Sequence, residues 1–205
     1  MKGNITLGQR TAFLVKRIYW NGKVNVRLVH HQWGIGRVMH NHFMKDFMEI
    51  VTDRSYDKSL KDYMKIFDYE GALYIEHNYR KGSASIPDVF DKKVIKRYFN
   101  KTDNNNGGMI IEIKEKQSDK EPYRADIEDL KIAFIVGYEE CDYDYDTHKY
   151  KGEKPFENLY TGEEYVKISC DGKYAYPEFL QMWNGFINQY EIEEVAKAKV
   201  EEQVA

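Results

Sequence analysis

The 205-residue sequence predicts an α+β domain, an antiparallel sheet of four or more strands packed with several helices on one side. Three observations carry this. Asn21-Gly22 separates two runs rich in β-branched and aromatic residues, a strong hairpin signal. A second pair of apolar runs follows DNNNGG at 103–108, and several other stretches repeat their apolar residues at helical spacing.

Taken in order, Thr11 to Trp20 (TAFLVKRIYW) and Lys23 to His31 (KVNVRLVHH) form the N-terminal hairpin. A two-residue turn sets Trp20 opposite Lys23. That register gathers Phe13, Val15 and Tyr19 with Val24, Val26, Leu28 and His30, and leaves His31 on the other face beside Ala12, Leu14 and Val29. Carried outward, it sets Arg10 opposite Trp33 and Gln9 opposite Gly34, so the two segments meet at the open end of the hairpin.

From Arg37 to about Thr52, Met39, Phe43, Phe47 and Ile50 recur as one helical stripe. A second helix is predicted over Ser59 to Phe67. A third spans Ile86 to Phe99, with Ser85 and Asp88 as caps and Pro87 in the first turn. Met109 to Glu115 and Leu130 to Tyr138 read as antiparallel strands. The stretch 139–162 is acidic, aromatic and loop-like. Thr161 with Glu164 offers a capping box, although Val166, Ile168 and Ser169 suit a strand as well. Pro177 opens a last helix with the stripe Phe179, Trp183, Ile187 and Tyr190. One domain over 1–195 with a polar tail over 196–205 is the expected organisation.

Composition narrows the function classes. Against 34 acidic residues stand 31 basic ones, a net charge of -3 that argues against bulk nucleic-acid binding. Two cysteines without C-x-x-C spacing favour a reducing compartment, and neither a membrane-length apolar run nor a secretion signal is seen. A cytosolic protein with no membrane partner is expected.

The stretch HHQWGIGR at 30–37 is the first candidate site. A strand running through Gly34 and Gly36 into a helix leaves backbone N–H groups that favour an anion. Arg10 and Arg37 can hold a phosphate or carboxylate, Trp33 can stack on a flat ring, Gln9 and Gln32 can read polar edges, and His31 can contact the ligand. The structural alternative is a sharp turn made by the two glycines and plugged by Trp33. No third glycine or Walker lysine is present. His30 and His31 project to opposite faces, which leaves no chelating pair, and no metal or other cofactor is expected.

The second candidate is the strip Asp142, Tyr143, Asp144, Tyr145 and Asp146, read as a partner-binding surface because tyrosine supplies contact area at low entropic cost. Asp142, Asp144, Asp146 and Glu153 also fall at positions 1, 3, 5 and 12 of a calcium loop, but Thr147 stands where that loop needs glycine. No nucleophile motif is present.

Gly8-Gln9-Arg10, the short hairpin, Gln32-Trp33 and Gly36-Arg37 with Met39 resemble the opening of uncharacterised phage and prophage proteins of low-GC Gram-positive bacteria. DNNNGGMIIEI and IAFIVGY resemble the second hairpin of that type, while Lys114 to Ile127 and Tyr143 to Lys154 are longer here. The resemblance implies a phage-encoded accessory protein for counter-defence, such as anti-CRISPR activity, or host takeover. Together with the residues, it leads to a non-enzymatic protein that neutralises a host factor, by binding a host protein or sequestering a nucleotide-type ligand. The alternatives are an enzyme acting on a nucleotide or phosphoester, with His31 as acid or base, and an interaction module built on the acidic tyrosine-rich loop.

Overall fold

The computed structural model describes residues 10–31, 72–102, 107–119, 125–138, 141–168, 181, 183–185, 187–188 and 192–195. A six-stranded sheet organises them in the order β3-β2-β1-β4-β5-β8, from β1 (Thr11–Ile18), β2 (Val24–His31), β3 (Ala72–Tyr79), β4 (Gly108–Gln117), β5 (Ala125–Ile135) and β8 (Glu193–Glu194). A separate hairpin pairs β6 (Tyr143–Asp144) with β7 (Lys149–Tyr150).

Both predicted hairpins form, but the sheet is mixed rather than antiparallel. β1 with β2, β2 with β3, and β4 with β5 are antiparallel, whereas β1 with β4 and β5 with β8 are parallel. The parallel β1·β4 seam lets two hairpins share one sheet without either exposing its inner edge. Lys16 pairs with Glu112 across it, and their side chains form a 2.6 Å ion pair.

The first hairpin also adopts a different register. Tyr19 N–H donates to the Lys23 carbonyl, Gly22 N–H donates to the Tyr19 carbonyl, and Gly22 takes φ +79°. The loop therefore has three residues, a form in which a left-handed residue absorbs the strand twist. Every pair slips by one, so that Phe13 faces Val29 and Ala12 faces His30. The consequence is an exchange of partners between faces. Phe13, Val15 and Val29 join Met109, Ile111, Ile113, Ile132 and Phe134 on the first face. Ala12, Leu14, Val24, Val26 and Leu28 join Ile110, Ala133 and Ile135 on the second.

Both faces are covered, in contrast to the one-sided packing expected. Helices α1 (Lys92–Phe99) and α2 (Gly162–Ile168) have defined bounds among the described residues, and 181, 183–185 and 187–188 are helical too. Few and short among the described residues, they do not match the several helices predicted. The expected helices over 37–52 and 59–67, the Pro177 start and the 196–205 tail lie outside the described residues.

Helix α1 closes the second face with Ile95, Tyr98 and Phe99. It begins later than expected because Asp91 is the N-cap, accepting from the N–H groups of Lys93 and Val94, while Asp88 spends its carboxylate on Phe90 N–H one turn earlier. Helix α2 resolves the helix-or-strand ambiguity through the capping box. Glu164 N–H donates to Thr161 Oγ1 at 3.2 Å, and Thr161 N–H donates to Glu164 Oε2 at 2.9 Å. Tyr165 and Trp183 then pack on Phe134, each with ring centroids at 5.1 Å. Gly162 is required there, since a Cβ would lie 2.6 Å from the Trp183 indole.

Two strands escape the sequence patterning. β3 carries Glu76, His77 and Asn78, all exposed, and β8 is only two residues long. Val195 N–H reaches the Ile132 carbonyl, and the Glu194 carboxylate accepts Gly162 N–H at the start of α2, so these last described residues strap the β5 edge. No helix of the described residues is long and apolar enough to cross a membrane.

Candidate functional site

The stretch expected to be loop-like over 139–162 holds a built hairpin. Tyr143 pairs with Tyr150 and Asp144 with Lys149. Asp144 Oδ1 accepts from the N–H groups of Asp146 (2.9 Å) and Thr147 (3.3 Å), an Asx turn that closes the loop. His148 sits at φ 53°, which completes the reversal. The same N–H groups hold the Asp144 carboxyl below the usual carboxylate range, with Lys151 assisting from 3.5 Å.

Aromatic packing stiffens the tip. Tyr143 meets Tyr145 edge-on at 5.1 Å and Tyr150 at 4.9 Å. Tyr145 is nevertheless 80% exposed, the most exposed large apolar side chain described. At the base, Glu153 accepts from Tyr160 O–H and Asn158 Nδ2, and Tyr160 is bridged to Phe134 of β5. Burial, followed by the Glu153 carboxylate, pushes the Tyr160 hydroxyl far up. The tip is thereby tied to the sheet.

All five predicted partner-binding residues come together here, with divided labour. Asp142, Tyr145 and Asp146 face solvent, Tyr143 is half-buried, and Asp144 is committed to the turn. The same geometry divides the residues at the calcium-loop positions among other partners. Glu153 is turned onto Asn158 and Tyr160, Asp144 onto its own backbone, and among the described residues no three His, Cys, Asp or Glu side chains gather.

Of the ligand-binding locus, Gln9, Gln32, Trp33, Gly34, Gly36 and Arg37 lie outside the described residues. Arg10 and the backbone of His31 are described. Thr11 opposes His31, and Thr11 Oγ1 donates to the Gly107 carbonyl at 3.0 Å, so the starts of β1 and β4 and the end of β2 adjoin. His30 is buried on the Ala12 and Leu14 face, not beside Phe13 as the two-residue turn implied. Burial and then the nearby Arg10 charge lower its pKa, so the ring is neutral at physiological pH.

Sequence reasoning missed a charged layer inside the sheet. Arg17 Nε donates to Glu115, Arg27 approaches Glu76 at 3.6 Å, and Asn25 Nδ2 donates to Glu76 (2.9 Å) and Asn78 (3.0 Å). Arg17, Arg27, Asn25 and Glu115 are all buried. The available signal was charge at alternate positions of otherwise apolar strands, which reads as a solvated face until both faces are seen to be covered. Comparison of the chain with models of known families, with curated proteins and with solved structures returns no match.

Proposed function

We propose that this protein is a non-enzymatic, phage-encoded accessory protein that neutralises a host factor by docking the 143–150 hairpin on a host protein. One observation carries the reading: a tyrosine 80% exposed at the tip of a hairpin whose turn, aromatic packing and base are all fixed. A preorganised tip loses little conformational freedom on binding, and tyrosine is a favoured anchor of protein interfaces. Asp142 and Asp146 face solvent on either side of Tyr145 in the sequence, so the complementary surface offers basic groups around a cleft for one aromatic ring. The resemblance to prophage accessory proteins supports a host protein as the owner of that surface.

The test places the photo-crosslinker p-benzoylphenylalanine at Tyr145, and separately at exposed Ile168, in host cells. One discrete adduct at position 145, absent at 168 and lost on competition with excess wild type but not with Tyr145→Ala, is expected. Equal labelling at both positions would sink the reading. A second reading, sequestration of a nucleotide-type anion, keeps one favouring observation, the Arg10 charge beside the junction of β1, β2 and β4. Native mass spectrometry of wild type against Arg10→Ala tests it, through an anion that co-purifies only with the former.

A further inference from the structure

The near-neutral total conceals a segregated charge. Residues 80–101 carry seven Lys or Arg and two Asp, a surplus of five positive charges in a chain whose net charge is -3. Both aspartates are spent on backbone N–H groups, Asp88 at Phe90 and Asp91 at Lys93 and Val94. Among the cations of this segment, Lys96 has an ion-pair partner, Glu157 at 2.8 Å. Arg80, Lys81, Lys93, Arg97 and Lys101 are exposed and have no ion-pair partner among the described residues.

The fold lines these residues up. Val24 pairs with Tyr79, so one step further Lys23 adjoins Arg80 and Gly22 adjoins Lys81. The contact is close, since a Cβ on Gly22 would meet Lys81 Cδ at 2.6 Å. Next along, His77 lies 6.4 Å from the Tyr98 ring, and the Arg97 guanidinium sits over that ring at 5.3 Å. Lys93 and Arg97 are one helical turn apart on α1, about 6 Å along its axis. At the other end of the strip, Trp20 in the same hairpin turn as Gly22 is 50% exposed.

We infer that this strip, from Trp20 and Lys81 to Arg97 and Lys93, binds single-stranded nucleic acid. Exposed cations supply phosphate contacts without sequence preference, and a half-exposed indole supplies the face on which an unstacked base can lie. A duplex offers no such base, which is why a single strand is the fitting ligand. The strip is separate from the tyrosine hairpin and does not depend on its role.

The experiment is fluorescence anisotropy of fluorescein-labelled oligo-dT and oligo-rU of about 20 nucleotides, titrated with the full chain across a salt series. Binding should weaken with salt, each neutralised phosphate contributing about -0.7 to the log–log slope. Lys81→Gln/Arg97→Gln should flatten that slope by about 1.4. Trp20→Ala should weaken binding about tenfold or more at unchanged slope, with Trp20→Tyr restoring most of it. Tyr145→Ala should bind as wild type. Circular dichroism confirms that each variant is folded. Absence of binding at about 50 mM salt, or charge variants indistinguishable from wild type, would overturn the inference. So would polyglutamate competing as well as the oligonucleotide with Trp20→Ala silent, which would assign the strip to an acidic protein.

Discussion

At the scale of single residues, two glycines show how position sets cost. Gly107 (φ +68°) and Gly82 (φ +74°) share a left-handed backbone, but a Cβ on Gly107 would lie 2.2 Å from the Ile135 carbonyl oxygen, whereas Gly82 has nothing within 4 Å. Gly82→Ala should cost about 1 kcal/mol, the left-handed penalty alone. Gly107→Ala should cost about 2–3 kcal/mol more, because overpacking against backbone cannot relax. Urea denaturation of the two variants measures the difference, and equal midpoints would contradict it.

Glu194 makes a pH prediction. Burial, and secondarily the Glu164 and Glu163 carboxylates, raise its pKa despite the Gly162 N–H and Trp183 contacts. A carboxyl whose folded pKa is raised favours the fold most fully below its unfolded pKa, and that contribution is lost as pH rises through the folded value. Glu194→Gln keeps an acceptor for Gly162 N–H and removes the ionisation. Its melting temperature should therefore gain on wild type as pH rises from about 4, the ordinary carboxyl range, through the raised folded value, all other carboxyls cancelling in the difference. A gap that is constant or closes with pH would refute this.

At the scale of elements, the β1·β4 seam depends on charge placed inside the sheet. Burial raises the Glu115 pKa, outweighing the opposing pull of Arg17, so desolvation exceeds the compensation and the pair is costly unless complete. Arg17→Met alone should destabilise by about 3–5 kcal/mol, by stranding a buried carboxylate. Adding Glu115→Leu should recover most of the loss. A double variant as unstable as the single would show that Arg17 acts through its contact over Tyr19, 4.4 Å from the ring centroid, rather than through Glu115.

Elements also divide sharply in legibility. Asn21-Gly22 marks the turn, and Thr161 with Glu164 marks a helix start, because each is a local chemical requirement that neighbours in sequence satisfy. The register of the first hairpin was not legible. TAFLV presents apolar residues to both faces, so alternation cannot choose between pairings that differ by one. Nor was the β1·β4 pairing, which joins segments separated by β2, β3 and α1 and leaves no periodic trace in either strand. Of the candidate sites, the Asp142 to Asp146 strip was recognisable from composition. Its role division was not, since only the Asx turn shows that Asp144 is structural.

At the scale of the whole molecule, topology carries two regions of opposite charge on one scaffold. The acidic tip stands off the β5 side through Tyr160, whereas the basic strip runs along the turn end of β2 and β3 and over α1. A bulk net charge averages these away, which is why the sequence argued against nucleic acid as a whole-surface partner and left a local patch open.

The parallel seam also constrains how the chain is made. Thr11 and the Gly107 that receives its hydroxyl are 96 positions apart. At a ribosomal rate of about 5–20 residues per second, β1 waits roughly 5–20 s after emerging before β4 exists to cover its second edge. During translation the nascent N-terminal hairpin thus carries two apolar faces and an open edge, and a chaperone that shields it over that interval would raise the yield of native protein more than one acting on the finished chain.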